Sequence, residues 1–265
     1  MNLKIKLLLA IVLLFTALNI DARNEKISWK IQAGLNLSQI SASEFKGYPS
    51  SDLRSAQVKP GFNIGLRFDY QFNNIFAIQT GLGYTMKGEK KVEYDEINKD
   101  EVDNEYSNFV ITSGKIETKK TIHYFEIPLV VGIRYNINNK TQFQLNAGGY
   151  ISIGIRGKYQ THEKKMIDNL LYENETYGWI FGSYGSKDNK SKNEKLPYSA
   201  IHQDMGCKRF DAGLKFETGF DIKNYYIGIA YDLGLVDMRS EKTKEMFAWG
   251  AMKNRNFSVN VGYSF

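Results

Sequence analysis

Three histidines, one cysteine and a run of acids are the side chains in this 265-residue sequence whose types could support catalysis or metal binding. His123 stands just above a stretch of alternating apolar residues, where a lipid hydrolase would hold a general base. Such a base needs a nucleophilic hydroxyl within hydrogen-bond reach. The next residue on its face is Phe125, and Thr121, two positions earlier, is a poor substitute. His123 therefore reads as a polar residue at an interface. His162 and His202 fall in a long connecting segment. The acids Glu93, Asp95, Glu96, Asp100, Glu101, Asp103 and Glu105 fit no calcium-loop spacing and lack the turn glycine, so they read as solvated charge. Cys207 is the lone cysteine, which excludes an intrachain disulfide and a lipid-modified cysteine at a cleavage point. The expectation is a protein without catalytic residues, cofactor or metal.

A second set of charged residues is informative through its period. Eight segments alternate apolar and polar residues: 29–37, 62–70, 76–86, 125–135, 143–155, 210–220, 225–235 and 257–265. Charged residues make up 24% of the chain, yet none falls on one face of these segments. The other face carries Lys30, Arg67, Arg134, Arg156, Arg209 and Lys215 against Asp69, Glu126, Asp211, Glu217 and Asp232. Near-cancelling charge of this kind predicts a salt-bridged interior, because an unpaired buried ion costs several kcal/mol. The network is expected to comprise Arg67, Asp69, Glu126, Arg134, Arg209, Asp211, Lys215, Glu217 and Asp232. A wide pore needs more strands, so a porin is disfavoured.

The elements that must position these residues follow from segment length and connection length. Each segment is close to the ~9–11 residues of a tilted membrane strand. Short connections follow the second, fourth and sixth segments and long ones follow the first, third, fifth and seventh, as in an outer-membrane barrel. Unpaired edges are excluded from lipid, so the eighth strand must close on the first. With 17 Tyr, 16 Phe and 23 Gly but 4 Pro, composition also favours strands. The fold expected is an all-β, closed eight-stranded antiparallel transmembrane barrel, an up-and-down meander with short periplasmic turns and long extracellular loops at roughly 38–61, 87–124, 156–209 and 236–256.

A soluble lipocalin-like barrel would turn the apolar face inward. The bulk of that face argues against it, since an eight-stranded interior has little room for large side chains. Aromatic residues also gather at strand ends, with Trp29, Tyr70, Phe76, Tyr135, Phe143, Phe220, Tyr225 and Phe265 at the short-turn end and Tyr84, Phe125, Phe210 and Phe257 near the other, as in the girdles of bilayer interfaces. At the amino terminus, Lys4 and Lys6 precede an apolar run from Leu7 to Leu18, which predicts a signal peptide over 1–22 and a barrel domain over 23–265. The net charge of +6 is spread along the chain and points to solubility, with no nucleic-acid partner expected. Export without disulfides predicts a bacterial envelope protein, and the barrel layout predicts residence in the outer membrane.

Two resemblances extend this reading. The last strand, with Phe257, Val259, Val261, Tyr263 and Phe265 in period two, resembles the signal by which outer-membrane barrels are handed to their assembly machinery. In addition, "YFEIPLVVGIRY" (124–135), "FDAGLKFETGF" (210–220) and "YDLGLVDM" (231–238) resemble the PorT-like outer-membrane barrel domain family, with its Glu-Ile-Pro strand, Asp-x-Gly strand and Tyr-x-x-Gly-Leu strand in this order. The namesake of that family is linked to a dedicated protein-secretion pathway. The near-cancelling inward charge and the missing partner for His123 imply a non-enzymatic, occluded barrel with a structural or interaction role, and the resemblance adds an accessory of a secretion pathway acting with an envelope partner through its loops. The alternatives are a lipid-modifying enzyme and a small-solute channel. Pro128 on the fourth segment predicts a bulge or a local break in pairing.

Overall fold

The computed structural model describes residues 26–42, 56–95, 111–167, 170–181, 185–186, 199–246 and 250–265. The expected signal peptide and the acids from Glu96 to Glu105 lie outside them. The strands are β1 (Ile27–Ala42), β2 (Ala56–Gln57), β3 (Lys59–Gln71), β4 (Phe76–Asp95), β5 (Ile111–Asn138), β6 (Thr141–Ile167), β7 (Leu170–Trp179), β8 (Gly185–Ser186), β9 (Ser199–Asp204), β10 (Phe210–Ile222), β11 (Tyr225–Gly234) and β12 (Met252–Ser264). One helix, α1 (Glu241–Met246), lies between β11 and β12.

Eight of these strands form a closed antiparallel ring in the order β1, β3, β4, β5, β6, β10, β11, β12. Closure is direct: β12 pairs with β1 from Lys30↔Ser264 to Ala42↔Met252, so neither terminal strand leaves an open edge. The short turns sit at one end. Between β3 and β4, Asn73 Oδ1 accepts from the Ile75 and Phe76 amides at 2.9 and 2.8 Å, and between β5 and β6 Asn138 Oδ1 accepts from the Lys140 amide at 2.9 Å. These side chains replace missing ladder bonds, which is why Asn recurs there. The turn between β10 and β11 has two residues, of which Lys223 adopts φ 55°.

Burial is inverted relative to a water-soluble protein. Leu35, Leu129, Val131, Ile153, Tyr225 and Val261 are each more than half exposed, whereas Lys30, Arg67, Asp69, Glu126, Arg134, Lys215, Glu217 and Asp232 are buried. Large apolar side chains form the outer wall and charged ones fill the ring. A hydrocarbon environment is the one in which this arrangement lowers free energy.

Pairing of β4 with β5 lapses opposite Pro128 and resumes unchanged in register at Gly83↔Glu126. The lapse is a local break with no added residue, and Thr80 Oγ1 donates to the Pro128 carbonyl at 2.8 Å beside it. A true irregularity occurs higher up. Between His123↔Arg156 and Tyr124↔Gly154, β6 contains one extra residue, Ile155.

The long connections expected at 87–124 and 156–209 are largely strand. β4, β5 and β6 run for 20, 28 and 27 residues. At ~3.3 Å per residue β5 spans about 90 Å along its axis, far more than a bilayer requires. Above the ring these strands continue as a sheet in the order β4, β5, β6, β7, to which β9 adds in parallel. β7 returns along β6 as a hairpin, paired from Ile167↔Leu170 to Lys158↔Trp179.

Candidate functional site

The lumen is filled in two tiers. The lower is ionic. Lys87, fully buried on β4, lies 2.8 Å from Glu126 and 3.2 Å from Asp232, and Lys215 on β10 lies 3.0 Å from Glu126 and forms a short ion pair with Asp232. Four strands thus contribute two ammonium groups and two carboxylates to one neutral cluster. Tyr150 from β6 lies under the Lys87 ammonium at 4.4 Å. Toward the short-turn end, Arg134 donates to Asp69 at 2.7 Å and to Asn146 Oδ1 at 2.6 Å, while Lys30 pairs with Asp221 at 2.8 Å. Arg67 and Glu217 approach at 3.7 Å. Asn36, Asn63 and Asn260 link β1, β3 and β12 through amide hydrogen bonds at 2.7 and 3.0 Å.

The space left at the centre of this tier is about 20 Å³, lined by Arg67, Thr85, Glu126, Lys215, Glu217 and Asp232 among others. That is room for roughly one water molecule. Below it, toward the short turns, the lumen opens into a vestibule of about 590 Å³ lined by Lys26, Lys30, Asp69, Arg134, Lys140 and Asp221.

The upper tier is apolar, and the sequence reading missed it. Ile40, Ile122, Tyr124, Tyr159, Ile180, Phe181, Cys207, Met238 and Met252 form a buried cluster at the outer mouth. Ile180 and Phe181, at the end of β7, turn inward over glycines of β6. A Cβ on Gly154 would meet the Phe181 ring, and one on Gly157 would come within 2.8 Å of Ile180 Cβ. Backbone bonds stitch the lid together: the Cys207 amide donates to Ile180 at 2.9 Å, Lys208 to Met238 at 2.6 Å, and Met238 to Met252 at 2.9 Å. Burial pushes the Cys207 thiol up to about 11, so it remains protonated and a weak nucleophile.

Several expectations need correction. Arg209 does not join the interior network. It is exposed at the rim, donates to the Gly154 and Ile155 carbonyls at 2.9 and 3.2 Å, and lies 5.0 Å over the Phe181 ring. Its charge satisfies carbonyls that the extra residue leaves out of the ladder. Arg156 is likewise not inward, because the extra Ile155 reverses the parity of β6 beyond it and leaves Arg156 exposed on the outer wall. Asp211, fully buried, takes its hydrogen bonds from Tyr150 at 3.2 Å and Asn254 at 2.9 Å rather than from a cation. Lys87 falls within the loop expected at 87–124, yet it stands on β4. Extending the inward parity Gln79, Thr85, Lys87, Glu89 past Met86 is the signal that would have found it.

His123 is half-buried on the outer wall, where its Nδ1 shares a 2.5 Å hydrogen bond with the Tyr84 hydroxyl. His162 is exposed 3.6 Å from Glu175. Among the described residues no group of His, Cys, Asp and Glu is arranged to hold a metal.

Residues 19–239 match the family model described as "Outer membrane protein beta-barrel domain". The chain belongs to that family. As an outer membrane protein beta-barrel domain protein it resides in the bacterial outer membrane, with its exposed apolar wall in the bilayer. Solved structures similar to it include Ail, the attachment invasion locus protein of Yersinia pestis, at 14% identity over 91% of this chain and 99% of that one, TM-score 0.36. OprG from Pseudomonas aeruginosa is 13% identical over 90% and 95%, TM-score 0.38. The outer membrane protease OmpT from Escherichia coli is 10% identical over 92% and 98%, TM-score 0.35. No curated protein matches in sequence.

Proposed function

We propose that this barrel is a non-enzymatic surface-interaction protein, sealed against solutes, that presents its extracellular sheet to an envelope or secretion-system partner. The observation that carries the reading is the contrast between a lumen reduced to about 20 Å³ at its centre and the continuation of β4, β5, β6 and β7 well above the bilayer. A transporter spends its sequence on a passage. This chain spends it on a plug and an external sheet.

The PorT-like motifs support the secretion-accessory form of the proposal. Glu126 and Pro128, Asp211 and Gly213, and Tyr231, Gly234 and Leu235 stand on β5, β10 and at the end of β11. Their side chains serve the plug and the barrel wall, so any partner specificity resides in the extracellular sheet. We further assign residues 1–22 as a cleaved signal peptide. The lipid-facing row Phe257, Val259, Val261 and Tyr263, with Phe265, is the segment offered to the assembly machinery. Against an enzyme stands the surrounding of His123, whose ring nitrogen is engaged by Tyr84 and whose own strand offers only Thr121, two positions earlier, as a neighbouring same-face hydroxyl.

Purified full-length protein in planar bilayers should show no stable large conductance, and incubation with outer-membrane lipid should release no acyl chains. Steady channels in the unmodified protein would overturn the sealed lumen. Acyl release abolished by His123→Ala would replace the proposal with a lipid-modifying enzyme.

A further inference from the structure

The extra residue in β6 has an effect on the outer wall. Up to and including it, Ile151, Ile153 and Ile155 face lipid; beyond it the outward positions become Arg156, Lys158 and Gln160. Opposite them on β5 stand His123, Thr121 and Lys119. Together these residues line a shallow depression of about 310 Å³. From the β4 side, Lys59 runs across Gly88, where a Cβ would lie 3.2 Å from the Lys59 Cδ.

Charge in this depression is one-signed. Glu117, higher on β5, is engaged by Lys119 at 2.7 Å and Lys90 at 3.5 Å, and Glu175 lies against His162. Among the described residues, Arg156 and Lys158 form no ion pair with a carboxylate. Both are exposed and rest on one indole, 5.4 and 5.1 Å from the Trp179 ring. The ring holds a guanidinium and an ammonium side by side without neutralising either.

Height decides the ligand. The depression begins one step above Phe125, Ile153 and Tyr84, the outer aromatic and apolar rim of the band that faces hydrocarbon. Cations at that level meet lipid headgroups, and their neighbours below meet acyl chains. We propose that this patch is a binding site for the phosphorylated headgroup of an outer-leaflet lipid, with Arg156 and Lys158 on the phosphate and the acyl chains along Phe125, Ile153 and Ile155. A guanidinium fork with an adjacent ammonium suits a phosphate's several acceptor oxygens, and Thr121 adds a hydroxyl donor. Sulfate or carboxylate groups on a soluble partner would not need the apolar wall beneath.

The test uses full-length folded protein, with folding verified by heat modifiability. Native mass spectrometry from detergent would count bound diphosphoryl lipid A against the same lipid stripped of phosphate. Wild type should retain the phosphorylated form preferentially, and Arg156→Gln with Lys158→Gln should weaken retention by about thirtyfold for two interfacial cations. Lys164→Gln, higher on the same hairpin, should leave it unchanged. Equal retention by the double variant, or equal retention of the phosphate-free lipid, would overturn the assignment. Displacement of the lipid by millimolar inorganic phosphate alone would transfer the site to a free anion and would also overturn it.

Discussion

Lys87 is the residue on which the ionic plug turns. It is fully buried, and it and Lys215 are the two cations shared by Glu126 and Asp232. Removing it leaves two carboxylates on one ammonium in a water-poor interior. Lys87→Met should cost about 3–5 kcal/mol, read as a shift in the denaturant midpoint of the heat-modifiable form. Adding Glu126→Gln should recover part of that loss by restoring neutrality. An unchanged midpoint in the single variant would show that the cluster tolerates the imbalance. Its burial was legible only by carrying the inward parity of β4 one step beyond the apolar run. Its partners were not, because which acid meets which base across four strands depends on the stagger of the ring. Arg209 shows the converse: its parity was legible, but its position at the rim was not.

At the scale of elements, the extra residue in β6 and the end of β7 form one device. Arg209 takes up the carbonyls at Gly154 and Ile155, and the bare Gly154 leaves room for Phe181 to close the mouth. Gly154→Val should therefore destabilise by ~1–3 kcal/mol through overpacking. Combined with Phe181→Ala, which vacates the ring's place, the cost should fall below the sum of the single costs. Strict additivity in that cycle, measured by unfolding in detergent, would separate the two residues. Period-two patterning predicted the membrane strands well because each apolar side chain signals a face. It placed the strand ends too low because β4, β5 and β6 continue above the bilayer with polar residues on their outer face.

For the whole molecule, the decisive property is which face meets hydrocarbon. Leu129 is 59% exposed on the wall of β5, between Phe125 and Tyr135, whereas Tyr94 is 69% exposed at the upper end of β4. An Arg at Leu129 should cost about 2–4 kcal/mol, as for a charge near the bilayer midplane, and an Arg at Tyr94 should be nearly neutral. Similar folded yields and midpoints for both variants would contradict the membrane placement. Exposure in water is much the same at the two sites, so only the surrounding lipid distinguishes them.

The eight-strand count, the lipid-facing parity, the short turns rich in Asn and the charged character of the lumen were determined by the sequence alone. Each is a local consequence of period two and of backbone groups that need partners within the bilayer. Tertiary structure decided the rest. One inserted residue, Ile155, turned Arg156 and Lys158 from lumen to wall, and the closure of the ring brought Lys87, Glu126, Lys215 and Asp232 from four strands into one cluster. Register sums over every strand in a closed ring, so no single segment contains the information that sets it.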